Sequence, residues 1–233
     1  MKDNLKRNLI VILLFSVAFL LRIAWLEKYP FGLTADEAAQ GWTAYSILKT
    51  GKDEWGVRFP LNPKSFGDYK PPLLTYLMIP GMAIFGKKPL SVRLPNAFFG
   101  SLAVVAVYFL TAELSKKEKY FSFFAAVLLA ISPWHLSLSR GAFEANLSSF
   151  FLTAGILFFF LGLKKPLFFV YSGLFCGLNL LTYHSAKVVT PLLLLAVVVW
   201  KRKELLTIIK EKNRMLFFAG VLIFSLFSFV MLA

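Results

Sequence analysis

Two adjacent carboxylates, Asp36 and Glu37, head a set of ionisable residues placed beside apolar runs: Asp68 and Lys70, Arg140 and Glu144, His184 and Lys187. Ionisable groups held close to lipid are costly, so each needs a partner or a task. Lys70 stands between Tyr69 and Pro71. A residue before proline takes an extended backbone, which suits an ammonium offered as a point charge to a phosphate. In Thr182-Tyr183-His184-Ser185-Ala186-Lys187, His184 and Lys187 can serve a phosphate or pyrophosphate in the same way.

Each of these residues also has a plainer reading. Thr34 followed by Glu37 fits a capping box, which accounts for Glu37 without any chemistry. Asp36 gains only a little from the helix dipole, and Thr34 already fills the cap, so Asp36 is the acid with a task to explain. Glu144, four residues after Arg140, reads either as a salt-bridged helix start or as an acid sharing a cavity with Asp36. Lys70 can simply touch headgroups, and His184 and Lys187 can mark the interface. His135, beside Trp134, reads as part of the aromatic belt. Asn146-Leu147-Ser148 matches a glycosylation sequon too near the bilayer to act as an acceptor, and the lone Cys176 reads as filler.

The elements that carry these residues are written in the apolar pattern. Hydrophobic residues make up 58% of the 233, with 26 Phe and a mean hydropathy of +0.69, above the roughly 45–50% of an ordinary soluble domain. Apolar runs at roughly 9–26, 90–113, 120–137, 144–163, 166–184, 187–200 and 215–233 give seven expected spans. The net charge of +14 follows a topology pattern. Lys2, Lys6, Arg7, Lys116, Lys117, Lys119, Lys164, Lys165, Lys201, Arg202, Lys203, Lys210, Lys212 and Arg214 fall in alternate short segments, against Arg140 and Lys187 in the others. That bias puts the N-terminus in the cytoplasm and argues against a nucleic-acid partner. Residues 1–26 read as a retained signal anchor of a multi-pass protein in the plasma (inner) membrane.

The first outer loop, about 27–88, is the least apolar stretch and holds six of the chain's 12 acids: Glu27, Asp36, Glu37, Asp53, Glu54 and Asp68. Within it, Thr34 and Gly51 bracket a helix over about 35–49, with Ala38, Trp42, Tyr45 and Leu48 on one face. Residues 52–70 carry turn chemistry. Leu73 to Phe85 is a second helix, too short to span and too apolar for water, hence interfacial or re-entrant. The expected architecture is an all-α, polytopic transmembrane helical bundle with interfacial helices in its first outer loop, forming one domain over 1–233. The chain ends at Met231-Leu232-Ala233 within an apolar run, which reads as part of something longer.

There is no Gly-rich nucleotide loop, no metal-spaced His/Cys cluster and no serine nucleophile elbow. Thr34-Ala35-Asp36-Glu37-Ala38-Ala39-Gln40, Gly67-Asp68-Tyr69-Lys70-Pro71-Pro72, Val92-Arg93-Leu94-Pro95 and Ser132-Pro133-Trp134, followed by Ser139-Arg140 and Glu144, together resemble the polytopic GT-C glycosyltransferases. Among these, the chain is most similar to the N-terminal half of protein O-mannosyltransferases and the aminoarabinose lipid A transferase. The resemblance implies transfer of a sugar from a polyprenyl-phosphate donor to a lipid, glycan or protein acceptor at the outer face. It implies Asp36 as catalytic base, Glu37 as a neighbour helping to hold the acceptor, Lys70 on the donor phosphate, and Glu144 as a second acid. The aminoarabinose transferase has an acid immediately before the lysine; here Tyr69 stands there and Asp68 one step back, which puts an inherited metal site in doubt.

Elementary chemistry agrees with that picture. Displacing a lipid phosphate from a sugar carbon needs a base for the hydroxyl and positive charge for the leaving group. Asp36 can supply the first, and Lys70, with Arg140, His184 or Lys187, the second. The sequence requires no cofactor, and a divalent metal stays open. Two other classes remain: a transporter or flippase of lipid-linked substrates, and a non-catalytic truncated membrane protein. The first needs ionisable groups at mid-span, whereas Arg22, Glu113 and Glu144 all sit near span ends.

Overall fold

The computed structural model describes residues 2–115, 119–210 and 214–232. Lys116, Lys117, Lys212 and Ala233 therefore lie outside the described residues. The helices are α1 (Lys2–Ile23), α2 (Ala35–Thr50), α3 (Pro72–Phe85), α4 (Pro89–Leu114), α5 (Lys119–Ile131), α6 (Pro133–Arg140), α7 (Glu144–Gly162), α8 (Phe168–Leu180), α9 (Ala186–Trp200), α10 (Arg202–Lys210) and α11 (Arg214–Leu232). Between α2 and α3 lies a minimal antiparallel hairpin, β1 (Lys64–Ser65) and β2 (Asp68–Tyr69).

α4 is the central post. α1, α2, α3, α5, α6 and α7 pack around it, α8 continues the row beyond α7, and α11 closes on α8. The sequence of α1 shows how one helix serves two environments. Leu14, Ala18 and Arg22, four apart, are buried, while Leu9, Ile12, Leu13, Val17 and Leu20 stay exposed as an apolar outer face. Small residues let the later helices approach closely. A Cβ on Gly173 would stand 2.1 Å from the Gly220 carbonyl oxygen, so α8 and α11 touch backbone to backbone. Such contacts replace the hydrophobic drive that lipid removes. Cys176, opposite Gly155, is buried in that packing.

The interfacial pair forms as its sequence predicts. Thr34 and Glu37 complete the capping box, and Gly51 (φ 70°) ends α2 with its amide on the Ile47 carbonyl. The face of α2 that packs inward is set by close contact. Glu37, Gln40, Gly41, Ala44 and Ile47 are buried, whereas Trp42 is 49% exposed. Close approach decides this, because a Cβ at Gly41 would stand 2.8 Å from Val92 Cγ2 on α4. Trp42 and Tyr45 share a cation: Lys87 Nζ lies 4.8 Å from the Tyr45 ring centre and 5.6 Å from that of Trp42.

Three expectations about the spans change. By length and apolarity, two described helices suffice to cross a membrane, α4 and α7, or up to four if each of two bent pairs is one span. The run over 120–137 breaks at Ser132-Pro133 into α5 and α6, bent by 56°, because proline cannot donate to the preceding turn. α8 and α9 have 13 and 15 residues, short of the about 20 of a straight crossing.

Candidate active site

One end of the bundle gathers the first loop with the α6–α7 and α8–α9 connections. A cavity of about 350 Å³ opens there, lined by Asp36 and Gln40 of α2, Lys70 before α3, Leu138 of α6, Ala142 and Phe143 of the connection, Glu144 and Ala145 of α7, and Tyr183.

Lys70 is placed by the hairpin. Phe66 (φ 50°) and Gly67 (φ 84°) make the left-handed pair that a two-residue hairpin turn requires. The ladder then continues one residue further, with the Lys70 amide on the Pro63 carbonyl at 2.8 Å. Nζ ends 3.4 Å from Asp36 Oδ1 and 3.7 Å from Asp68 Oδ2. Burial by itself pulls the Lys70 pKa down; the charge of Asp36, then those of Glu144 and Asp68, outweigh it and raise the pKa above its usual value. The group is therefore an ammonium at neutral pH. Asp36 keeps 61% of its side chain exposed against 17% for Lys70, so one partner of the pair is half-buried and the other is open to an incoming molecule.

Glu37 does not share that opening. Its Oε1 accepts from Arg93 Nε (2.8 Å) and the Ala142 amide (3.0 Å), and Oε2 from Arg93 Nη2 (3.1 Å) and the Thr34 amide (2.9 Å). Burial alone would push its carboxyl up, but the Arg93 hydrogen bond, the two amides and the guanidinium charge hold it below the usual carboxylate range. Arg93 also donates to the carbonyls of Leu26, Pro30 and Gly32. One buried ion pair thus ties α4, α2, the chain after α1 and the α6–α7 connection together. Asn96, one turn on, donates to the Gly141 (2.7 Å) and Phe143 (2.9 Å) carbonyls and accepts from Asn146 through its own carbonyl. Glu144 begins its helix from that fixed loop and accepts from Gln40 Nε2 at 3.0 Å.

The structure thus brings together Asp36, Asp68, Lys70 and Glu144. His184 joins indirectly, its Nε2 2.8 Å from the Tyr69 carbonyl oxygen; a carbonyl only accepts, so Nε2 carries the proton there. Arg140 is elsewhere: its guanidinium caps α1 through the carbonyls of Leu21 and Arg22 and reaches that of Tyr29. Lys187 is half-buried and does not line the cavity. Arg22 and His135 were expected at the interface. They are buried and bonded to each other, Nη2 to Nδ1, at 2.8 Å.

Sequence reasoning missed Gln40, Tyr183 and the clamp role of Arg93. Gln40 was findable as the residue one turn after Asp36. Arg93 lies in one of the motifs that carry the resemblance, but nothing local marks it as a clamp, since its partners lie 56 or more residues away. The acids also test the fit of a metal. Among the described residues no group of three or more His, Cys, Asp or Glu side chains is placed to hold one metal ion, and the Lys70 ammonium already stands beside both Asp36 and Asp68. These residues do not fit a resident cation, and no step is routed through one.

With the geometry in place, comparison with known proteins is informative. Residues 69–232, more than half of the chain, match the sequence pattern of the dolichyl-phosphate-mannose-protein mannosyltransferase family. The chain belongs to that family. A comparison with curated protein sequences returned no significant match. In three dimensions this mannosyltransferase-family chain is similar to ArnT from Cupriavidus metallidurans in the apo state (TM-score 0.68, 15% identity, 100% of this chain and 42% of that one). It is similar too to the oligosaccharyltransferase AglB from Archaeoglobus fulgidus in complex with an inhibitory peptide and a dolichol-phosphate (0.67, 19%, 95% and 28%). An Archaeoglobus fulgidus oligosaccharyltransferase complex with Zn and sulfate gives 0.68, 20%, 95% and 30%. At these identities the likeness is one of fold, the all-α polytopic GT-C fold of a multi-pass membrane protein. The chain spans less than half the length of each of these proteins.

Proposed function

We propose that the chain carries the donor-phosphate and base side of a membrane glycosyltransferase site. The substrate is a sugar on a polyprenyl phosphate, and the acceptor is a lipid, glycan or protein hydroxyl at the outer face. The observation that carries this reading is the Asp36–Lys70 pair at 3.4 Å on the rim of the cavity, in a chain of this family. Asp36 takes the proton of the acceptor hydroxyl. The oxygen attacks the anomeric carbon from the side opposite the leaving group, so configuration inverts. The carbon–oxygen bond to the phosphate breaks, and the phosphate leaves with the electron pair toward the Lys70 ammonium. Release of Asp36 from its ion pair as the phosphate engages Lys70 would leave a carboxylate free to act as base.

Glu37 then acts through position, by holding α2 and the α6–α7 connection. Glu144, next to Gln40, is the acid facing the sugar side of the cavity, and Asp68 shares the Lys70 charge until the donor arrives. Asp36→Asn tests the assignment. Transfer from a polyprenyl-phosphate sugar should fall by at least about 100-fold, the usual span of a general base, with membrane insertion intact. Normal transfer by that variant ends the reading.

A further inference from the structure

Asp36 and Gln40 face the candidate site from one side of α2. On the side turned away from Asp36, Trp42, Tyr45 and Lys49 recur at three- and four-residue spacing. A cavity of about 140 Å³ opens there against the start of α4, floored by Leu33, Met82 and Val92 and flanked by Trp42, Lys87 and Lys88. Lys87 Nζ lies 4.8 Å from the Tyr45 ring centre and 5.6 Å from that of Trp42, and Lys49 Nζ lies 5.8 Å from the same Tyr45 ring. Among the described residues, none of these three lysines stands within ion-pair distance of a carboxylate. Asp36 faces Lys70, Glu37 is held by Arg93, and Asp53 accepts from the Trp55 and Val57 amides. The exposed Glu27 and Glu54 do not line the cavity, and the exposed Lys28, Lys52 and Arg58 beside them in the chain add only positive charge. Local folding gives no reason for the cluster. Lys87 and Lys88 stand directly before Pro89, where α4 begins with neither a side-chain cap nor a first-turn acid, and a helix start disfavours cations.

We propose that this face of α2 binds an anionic glycerophospholipid of the leaflet on the Lys70 side. Lys87 and Lys88 hold its phosphate, and Lys49 stands at the edge. A lysine ammonium has three donors, so Lys87 can rest on the two rings and still donate to a phosphate oxygen. The rings fix where that charge sits without neutralising it. A zwitterionic headgroup fits less well, because its cation finds no acid lining the cavity and meets rings that already carry Lys87. The apolar floor decides for a lipid over a free anion. Leu33, Ile84 and Phe85 are exposed beside it and give the glycerol and first methylenes a surface, and Trp42 is the residue type that favours headgroup depth. α2 is then held from both sides, inward by the Glu37–Arg93 pair and outward by a lipid phosphate.

The test is photocrosslinking of the full chain in phosphatidylcholine nanodiscs. These carry a small fraction of either phosphatidylglycerol or phosphatidylcholine with a diazirine at the glycerol end of one acyl chain, and labelled residues are mapped by peptide mass spectrometry. Mapping separates this face from the basic segments elsewhere in the chain. Labelling of residues 42–49 and 84–92 by the phosphatidylglycerol probe should exceed that by the phosphatidylcholine probe about tenfold, the worth of one hydrogen bond to a charged group. It should fall about tenfold in Lys87→Gln/Lys88→Gln and by a smaller factor in Lys49→Gln, and stay unchanged in Lys52→Gln. All four lysines are exposed, so an unchanged thermal midpoint is expected and shows that the fold survives. Equal labelling by the two probes, or undiminished labelling in both the double variant and Lys49→Gln, overturns the proposal. Loss of labelling on adding inorganic phosphate at the probe's concentration would overturn the lipid source in favour of a free anion.

Discussion

At the scale of single residues, the proposed site rests on an unequal pair. Lys70 is half-buried and held by its backbone at the end of a hairpin, whereas Asp36 is largely exposed. Removing the ammonium should therefore be more damaging to leaving-group stabilisation than to folding. Lys70→Ala is expected to lower transfer by roughly 100-fold or more, as loss of a charge-stabilising donor does elsewhere, with little change in thermal midpoint; a purified-enzyme assay with saturating donor reads it. His184 reaches the proposed site one step removed, through the Tyr69 carbonyl. His184→Ala should cost about tenfold or less, and His184→Asn, which keeps an N–H donor, should recover part of it. Asp36 and Lys70 were both legible in the sequence, because an acid left over from a cap and a lysine locked before proline each lack a local explanation. The place of Arg140 was not legible for a matching reason: a cation near an acid looks like an ion pair, but unpaired carbonyls at a helix end claim it first.

At the scale of elements, the Glu37–Arg93 clamp positions α2 against α4 and fixes where Glu144 begins. Its pH dependence follows from the depressed Glu37 carboxyl. The pair contributes stability above the ordinary value of 4.5 and loses it as pH falls through the lower folded value. Glu37→Gln should lower stability at neutral pH by about 3 kcal/mol, since it leaves Arg93 buried without its charge partner. The same variant should lack the wild type's added loss of thermal stability below about pH 4.5. Melting curves in detergent across that range would show it, and parallel curves for the two proteins would contradict it. Helix contact makes a second demand. With the Gly220 carbonyl oxygen 2.1 Å from a Cβ at position 173, Gly173→Val must part α8 from α11, at an expected cost of about 1–3 kcal/mol.

At the scale of the whole molecule, two polar ends are separated by an apolar girth, and the basic bias of the sequence leads us to expect them on opposite sides of the membrane. Asp68 and Lys165 are both exposed at those two ends, and the native Cys176 is buried. An impermeant maleimide applied to intact cells should label Asp68→Cys and leave Lys165→Cys untouched until the membrane is opened; the reverse pattern would invert the topology. The sequence alone determined the solvent of this chain, the order of its helices, the capped interfacial helix and the lysine before Pro71, since apolar periodicity, caps and proline act over a few residues. Tertiary structure decided which face of α2 turns inward, because a glycine contact with Val92 depends on an element 51 residues away. It also decided that Glu37 braces while Asp36 stays open, and that α5 and α6 are one bent pair. Those outcomes depend on which distant carbonyls and guanidinium compete for a group, and a local pattern holds no record of that competition.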